Sequence, residues 1–203
     1  MIALVDYGLG NIQAFANIYR RLGIPAVAAR TPQDLQQADK IVLPGVGAFD
    51  WAMQRLEESG LREALDEMVL DRKTDVLGIC VGMQMMGRRS DEGDRAGLGW
   101  VDGEVRRFDP GSLPSHMPLP HMGWNDVNPT SDDSLFRGIE APRFYFLHSY
   151  YVDTASPDHA LATTDYGMPF TSAIRSGNIY GVQFHPEKSH DWGVQLLRNF
   201  AET

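Results

Sequence analysis

Asp75-Val-Leu-Gly-Ile-Cys-Val-Gly-Met-Gln84 contains the only cysteine of the 203-residue chain, set between two glycines at 78 and 82. The apolar run before Cys80 reads as a buried strand, and the Met- and Gln-rich run after it reads as a helix. A strand that turns sharply into a helix forces the residue at the bend into strained backbone geometry. Glycines on either side remove the Cβ atoms that would clash, so the central side chain stands clear above the sheet. The unpaired N–H groups and dipole of the helix start favour thiolate over thiol. The plain alternative is a buried, inert cysteine, because free Cys is among the most buried residue types. The frame of two flanking glycines argues for a nucleophile.

Working outward from the elbow, the first half alternates strand-like and helical runs. Ile2–Asp6 is followed by Asn11–Leu22, with apolar residues at 12, 15, 18, 19 and 22, then by Ala26–Ala29 and Lys40–Leu43. A helical stretch over Phe49–Asp71, broken near Ser59-Gly60, leads into the strand Val76–Cys80. This repetition predicts an α/β fold: a mostly parallel sheet flanked by helices, with ligands bound at the carboxyl ends of its strands. After about Ser90 the pattern changes. Val101–Phe108, a Pro-rich loop over Asp109–Pro120, and β-rich runs at Arg143–Tyr151, Ala160–Thr164, Thr171–Arg175 and Ile179–Phe184 predict an antiparallel or mixed extension. Trp192–Phe200 carries the closing amphipathic helix.

Length and a 43% hydrophobic content fit one domain spanning 1–203. Eighteen basic against 27 acidic residues, a net charge of -9, disfavour nucleic acid and anionic membrane as partners. No apolar segment approaches the roughly 18 residues of a membrane span. A single cysteine makes no internal disulfide, and the absence of Cys pairs or close His spacing leaves no metal pattern and no cofactor motif. A soluble protein of a reducing, cytoplasmic compartment is the expectation.

A thiol nucleophile needs a base at a strand end on the same sheet edge. His185 meets that condition: Ile179–Phe184 runs straight into His185-Pro-Glu187. Pro186 stiffens the turn, and residues two apart can point the same way, so Glu187 can orient and charge-stabilise the imidazole. Acyl transfer also needs oxyanion donors. Gly45, Val46 and Gly47, just past the Lys40–Leu43 strand, offer backbone N–H groups, and the amide of Val81 offers another.

Taken together, Pro44-Gly-Val-Gly47, Gly78-Ile-Cys-Val-Gly-Met-Gln84, His148-Ser-Tyr150 and Gly181-Val-Gln-Phe-His-Pro-Glu187 resemble the class I (triad) glutamine amidotransferases, whose domain has a flavodoxin-like architecture. Asp6-Tyr-Gly-Leu-Gly-Asn11, Gly97-Leu-Gly-Trp100, His121-Met-Gly-Trp-Asn125 and His185-Pro-Glu-Lys-Ser189 further resemble the glutaminase subunits of imidazole glycerol phosphate synthase. The resemblance implies Cys80 as nucleophile, His185 as base and Glu187 as orienting acid. It implies Gln84 and the backbone of His148, Ser149 and Tyr150 as holders of glutamine. It also implies a heterodimer in which ammonia passes into a (β/α)8-barrel cyclase subunit of histidine biosynthesis. Asn11, Trp124, Asn125, Tyr145 and Lys188 would face that barrel. Two other readings stay open: a paralogous glutaminase supplying ammonia for amidination of a bacterial surface sugar, and a stand-alone cysteine or γ-glutamyl hydrolase.

Overall fold

The computed structural model describes residues 1–203. Its first half alternates as the pattern predicts: β1 (Ile2–Val5), α1 (Ile12–Leu22), β2 (Ala26–Ala29), α2 (Pro32–Gln36), β3 (Lys40–Gly45), α3 (Phe49–Glu58), α4 (Arg62–Asp66), a π-helical turn over Glu67–Asp71, β4 (Asp75–Cys80) and α5 (Val81–Met85). Asn11 stands one residue outside α1 as its N-cap, its side-chain oxygen accepting from the Ala14 N–H at 3.2 Å. That bond satisfies one of the free donors of the first turn. Thr31 and Asp34 form a reciprocal capping box on α2, a short helix that the hydrophobic pattern does not reveal. The break near Ser59-Gly60 is real: Ser59 caps α3 and Gly60 takes φ +72°.

The second half comprises β5 (Gly103–Arg107), β6 (His121–Asp126), β7 (Asn128–Pro129), β8 (Arg143–His148), β9 (Tyr150–Thr154), β10 (Ala160–Asp165), β11 (Pro169–Ser176), β12 (Ile179–Val182) and α6 (His190–Glu202). The main sheet runs β2-β1-β3-β4-β12-β11-β10-β7, with β9 joined to β11 and β5. Its pairs from β2 through β12 are parallel, and those beyond β12 antiparallel. The expected mixed extension is therefore present. The apparent single run Arg143–Tyr151 is two strands in two sheets. β8 pairs only with β6, in a separate two-stranded ribbon, whereas β9 belongs to the main sheet. The chain changes sheets at Ser149, and this places His148 and Tyr150 on opposite sides of a bend beside the elbow.

Fifty-one buried residues form one hydrophobic cluster, reaching from Ile2 to Phe200. No helix is long and apolar enough to cross a membrane.

Candidate active site

Cys80 is the last residue of β4 and has φ +55°, ψ -113°, the left-handed backbone expected of a residue forced to turn a strand into a helix. The flanking glycines allow this because there is no room for anything larger. A Cβ on Gly82 would lie 1.9 Å from the Leu43 carbonyl oxygen, and one on Gly78 would lie 2.8 Å from that of Gly82. Gly45, paired with Cys80 across β3 and β4, is equally confined: its Cβ would stand 2.4 Å from the Gly82 nitrogen. The elbow is thus wedged against the end of β3 by backbone, with no side chain between.

β12 lies beside β4 in parallel, with Gly181 opposite Gly78 and Val182 opposite Ile79. Continuing that register brings Gln183 level with Cys80 and carries His185 above it. His185 Nδ1 donates to Glu187 Oε1 at 2.9 Å, and the imidazole shares the cavity wall with the Cys80 sulfur, whose charge bears on it. Burial works against the imidazolium, but the neighbouring Cys80 sulfur and the Glu187 carboxylate outweigh it and raise the pKa of His185 to about 10. Glu187 lies in a 3-10 turn over Pro186–Lys188, and its Oε2 is buried without a partner. Ser189 locks this turn, its hydroxyl donating to the His185 carbonyl at 2.6 Å and accepting from the Tyr145 N–H at 3.0 Å.

The cavity in front of the sulfur has a volume of about 270 Å³. Val46, Gly47, Cys80, Val81, Gln84, His148, Ser149, Tyr150 and His185, all singled out from the sequence, line it together. Lys188, expected at a partner face, also lines it, with its ammonium 5.8 Å from the centre of the Tyr145 ring. Gly45 and Glu187 stand behind this lining. A larger hollow of about 690 Å³ lies between Thr130–Asp133 and the β10–β11 side of the sheet, away from Cys80 and His185.

Just before the Gly45–Gly47 segment, the Tyr7 hydroxyl donates to the Pro44 carbonyl at 2.8 Å. Burial first, and the Cys80 charge second, push the Tyr7 phenol up, so it remains a donor. Gly47 holds φ +84°, and Val46 is 40% exposed at the cavity mouth.

Three further residues contribute that the sequence reading passed over. Glu92 puts a carboxylate on the cavity wall while accepting from the Phe49 N–H at 2.9 Å. Its only sequence signal is an acidic position shortly after the elbow. Gln183, fully buried, donates from Nε2 to Cys80 Sγ at 3.7 Å and accepts from Gln84 at 3.0 Å. A polar residue inside the apolar run Ile179–Phe184 was the available clue. The third is Ser189, already quoted within a motif but without its locking role.

The other expected interface residues lie outside the cavity. Trp124 stacks flat on His190 at 5.3 Å and meets Tyr145 edge-on at 6.2 Å. Asn125 is engaged internally, its Nδ2 donating to the Asp165 carbonyl at 2.8 Å and its Oδ1 accepting from the Asp126 N–H. Asn11 is the helix cap described above. Met122, at 64% exposure, and Leu147, its cross-strand partner on the ribbon, form an apolar surface beside the cavity mouth.

The sequence of this chain matches the family model for class-I glutamine amidotransferase over residues 3–203. It is 58% identical to the imidazole glycerol phosphate synthase subunit HisH of Bdellovibrio bacteriovorus, over the full length of both chains. It is 47% identical to subunit HisH of Leptospira interrogans, covering 99% of each chain, and 47% identical to subunit HisH 2 of Pseudomonas aeruginosa, covering 100% of this chain and 99% of that one. A crystal structure of a glutamine amidotransferase superposes with a TM-score of 0.77 over 100% of this chain and 99% of the other, at 16% identity. Another, from Thermotoga maritima, gives 0.63 at 21% identity over 92% and 75%. At such identities the superpositions speak for the fold alone. Because family and subgroup both match along the whole chain, it belongs to the class-I glutamine amidotransferases and, among them, to the HisH subunits of imidazole glycerol phosphate synthase.

Proposed function

We propose that the chain, as one domain of residues 1–203, is a cytoplasmic glutaminase that splits L-glutamine into glutamate and ammonia and hands the ammonia to a (β/α)8-barrel cyclase subunit in histidine biosynthesis. The observation that carries this is the strained Cys80 elbow sharing one cavity with His185, whose Nδ1 donates to buried Glu187.

The thiolate of Cys80 attacks the γ-carboxamide carbon of glutamine, forming the C–S bond and driving the carbonyl π electrons onto oxygen. The Val81 N–H and an N–H from the Gly45–Gly47 backbone stabilise that oxyanion. His185 gives its proton to the amide nitrogen, the C–N bond breaks, and ammonia leaves a thioester on Cys80. His185, now neutral, takes a proton from water as its oxygen attacks the thioester carbon. Collapse expels the thiolate and releases glutamate, and the site returns to its starting charge. Glu187 keeps the imidazole turned toward the sulfur and stabilises its positive form. Glu92 supplies the negative wall suited to the α-ammonium group of the substrate. Gln84 and the bend at His148-Ser149-Tyr150 line the opposite part of the cavity.

Ammonia must leave without loss to water, which favours a partner seated over the mouth. The exposed Met122 and Leu147 pair, with Trp124, Tyr145 and Lys188 beside it, suits a partner of mixed apolar and polar character. Partner contact would also bias the Gly45–Gly47 backbone toward its active orientation. The test is glutamate release by the isolated chain, by the heterodimer, and by the heterodimer with the nucleotide ligand of the cyclase. Rates should rise along that series. Equal rates in all three would support a stand-alone hydrolase instead. Ammonium salts should restore cyclase turnover when Cys80→Ala has abolished the glutamine-dependent reaction.

A further inference from the structure

Two buried histidines, His148 on the cavity wall and His121 hydrogen-bonded to it, take no part in these proton transfers. His148 Nδ1 lies 2.8 Å from the Tyr150 carbonyl oxygen, which can only accept, so this nitrogen carries the proton. In a neutral ring Nε2 is then an acceptor, and His121 Nδ1, 3.0 Å away, must donate to it. His121 Nε2 is in turn an acceptor, and 3.3 Å from it is the Nδ2 of Asn125. The orientation of that amide is fixed independently, because Asn125 Oδ1 accepts from the Asp126 N–H at 2.8 Å and Nδ2 donates to the Asp165 carbonyl. Every proton in the chain Asn125 → His121 → His148 → Tyr150 therefore has one consistent place.

The Tyr150 carbonyl also accepts from Gln84 Nε2 at 3.2 Å. The second hydrogen on that nitrogen goes to Gln183 Oε1, which turns Gln183 Nε2 toward Cys80 Sγ. One arm sets the position of the carbonyl, and the other reads it out as a donor aimed at the sulfur.

We propose that His121 and His148 are positioning residues for the glutaminase reaction, a neutral, directed hydrogen-bond pair that holds the Tyr150 carbonyl where Gln84 and Gln183 can present an N–H to Cys80. This rests on the reading of Cys80 as nucleophile. The surroundings support neutral rings. His121 is sandwiched between Tyr166, at 3.9 Å, and Phe146, at 4.7 Å, and His148 packs against Phe108 and Phe170. Apart from each other, the ionisable groups facing the pair are Tyr166 and His185. Burial lowers His121 to about 4. Burial is also the main cause that lowers His148 to about 3, against the opposing bond to Tyr150.

The experiment combines spectroscopy with kinetics. Long-range proton–nitrogen spectra of the histidine-labelled full chain should show both rings neutral and protonated at Nδ1 from pH 8 down to pH 6. Free neutral imidazole favours the other tautomer, so two Nδ1-protonated rings would be diagnostic. An Nε2-protonated ring, or titration of either ring between pH 6 and 7, overturns the proposal. Asn125→Asp is nearly isosteric but replaces the donor by an acceptor, so it should switch His148 to the Nε2 tautomer or charge one ring. In the heterodimer, His148→Phe should lower kcat/KM for glutamine about tenfold, the worth of one hydrogen bond, and His148→Asn, which keeps a donor toward Tyr150, should recover most of it. Native kcat/KM in both His148→Phe and Asn125→Asp overturns the positioning role. Should His148→Phe not fold, Asn125→Asp decides alone. Cys80→Ala in the same assay separates the two ideas, since full activity there would sink the nucleophile while leaving the ring tautomers unaffected.

Discussion

Two histidine sites meet at one cavity, through His185 and His148, and their surroundings drive them toward different charge states. On the parallel side His185 sits between the Cys80 sulfur and the Glu187 carboxylate and is driven toward imidazolium. On the ribbon side His121 and His148 face aromatic rings, a neutral amide and a backbone carbonyl, and are driven toward the free base. All three are buried. Burial alone would push them the same way, so the difference lies in what each ring nitrogen touches. In the proposed reaction this is a gain: His185 would carry the mobile proton, and its neighbours would not compete for it.

The most severe way to break that contrast is Cys80→Ala, which removes one of the two groups stabilising the imidazolium. Glutamine-dependent turnover should vanish while the fold is kept, as read by circular dichroism and by retention of partner binding. Next is Glu187→Gln, expected to lower kcat about 10²–10⁴-fold by loss of imidazolium stabilisation and tautomer control. Steady-state glutamate release measures it, and near-native turnover would reduce Glu187 to a loop feature.

The two sites should also oppose each other in stability against pH. His185 has its pKa raised from 6.5 to about 10 on folding, so its contribution is complete below about pH 6.5 and is lost as pH rises toward 10. His121 and His148 have theirs lowered, to about 4 and 3, so theirs is complete above about pH 6.5 and is lost as pH falls through those values. Chemical denaturation across pH 4–10 should show Glu187→Gln flattening the alkaline limb and His148→Phe flattening the acid limb. The same limb affected by both variants would erase the distinction.

The smallest effect is expected at the ribbon surface. Trp124→Ala should weaken the heterodimer by about tenfold or more, in the range of interface hot spots, and leave glutaminase chemistry at saturating partner nearly unchanged. Titration calorimetry against the cyclase subunit would show it, and unaltered affinity would move the partner face elsewhere.

The same contrast explains what the sequence could disclose. The elbow, β3 and His185-Pro-Glu187 are legible because parallel strands buried on both faces leave continuous apolar runs, and because backbone wedging leaves glycines at fixed offsets. The ribbon is not. In His121–Asp126 the large apolar residue Met122 points outward, Gly123 and Asn125 interrupt any alternation, and the strand is recognisable only by its pairing with β8. The switch of sheets at Ser149 leaves no local mark either, since Arg143–Tyr151 is a uniform β-forming run. Glu92 and Gln183 owe their place to contacts made across the fold, with Phe49 and with Gln84 and Cys80, which no spacing along the chain encodes. Asn11 shows the reverse case. The family resemblance marked it as a contact for another protein, and part of its reason is local, as the cap of α1.

The elbow has a redox consequence as well. Cys80 is the sole thiol in the chain and only 4% exposed, lining the cavity it shares with His185. Peroxide reaching a sulfur so activated would form a sulfenic acid, and no second cysteine exists to trap it as an internal disulfide. Repair would then need a small external thiol admitted through the cavity mouth proposed for glutamine, before further oxidation makes the loss permanent. Bound glutamine, or a partner closing the mouth, would act as the enzyme's antioxidant shield.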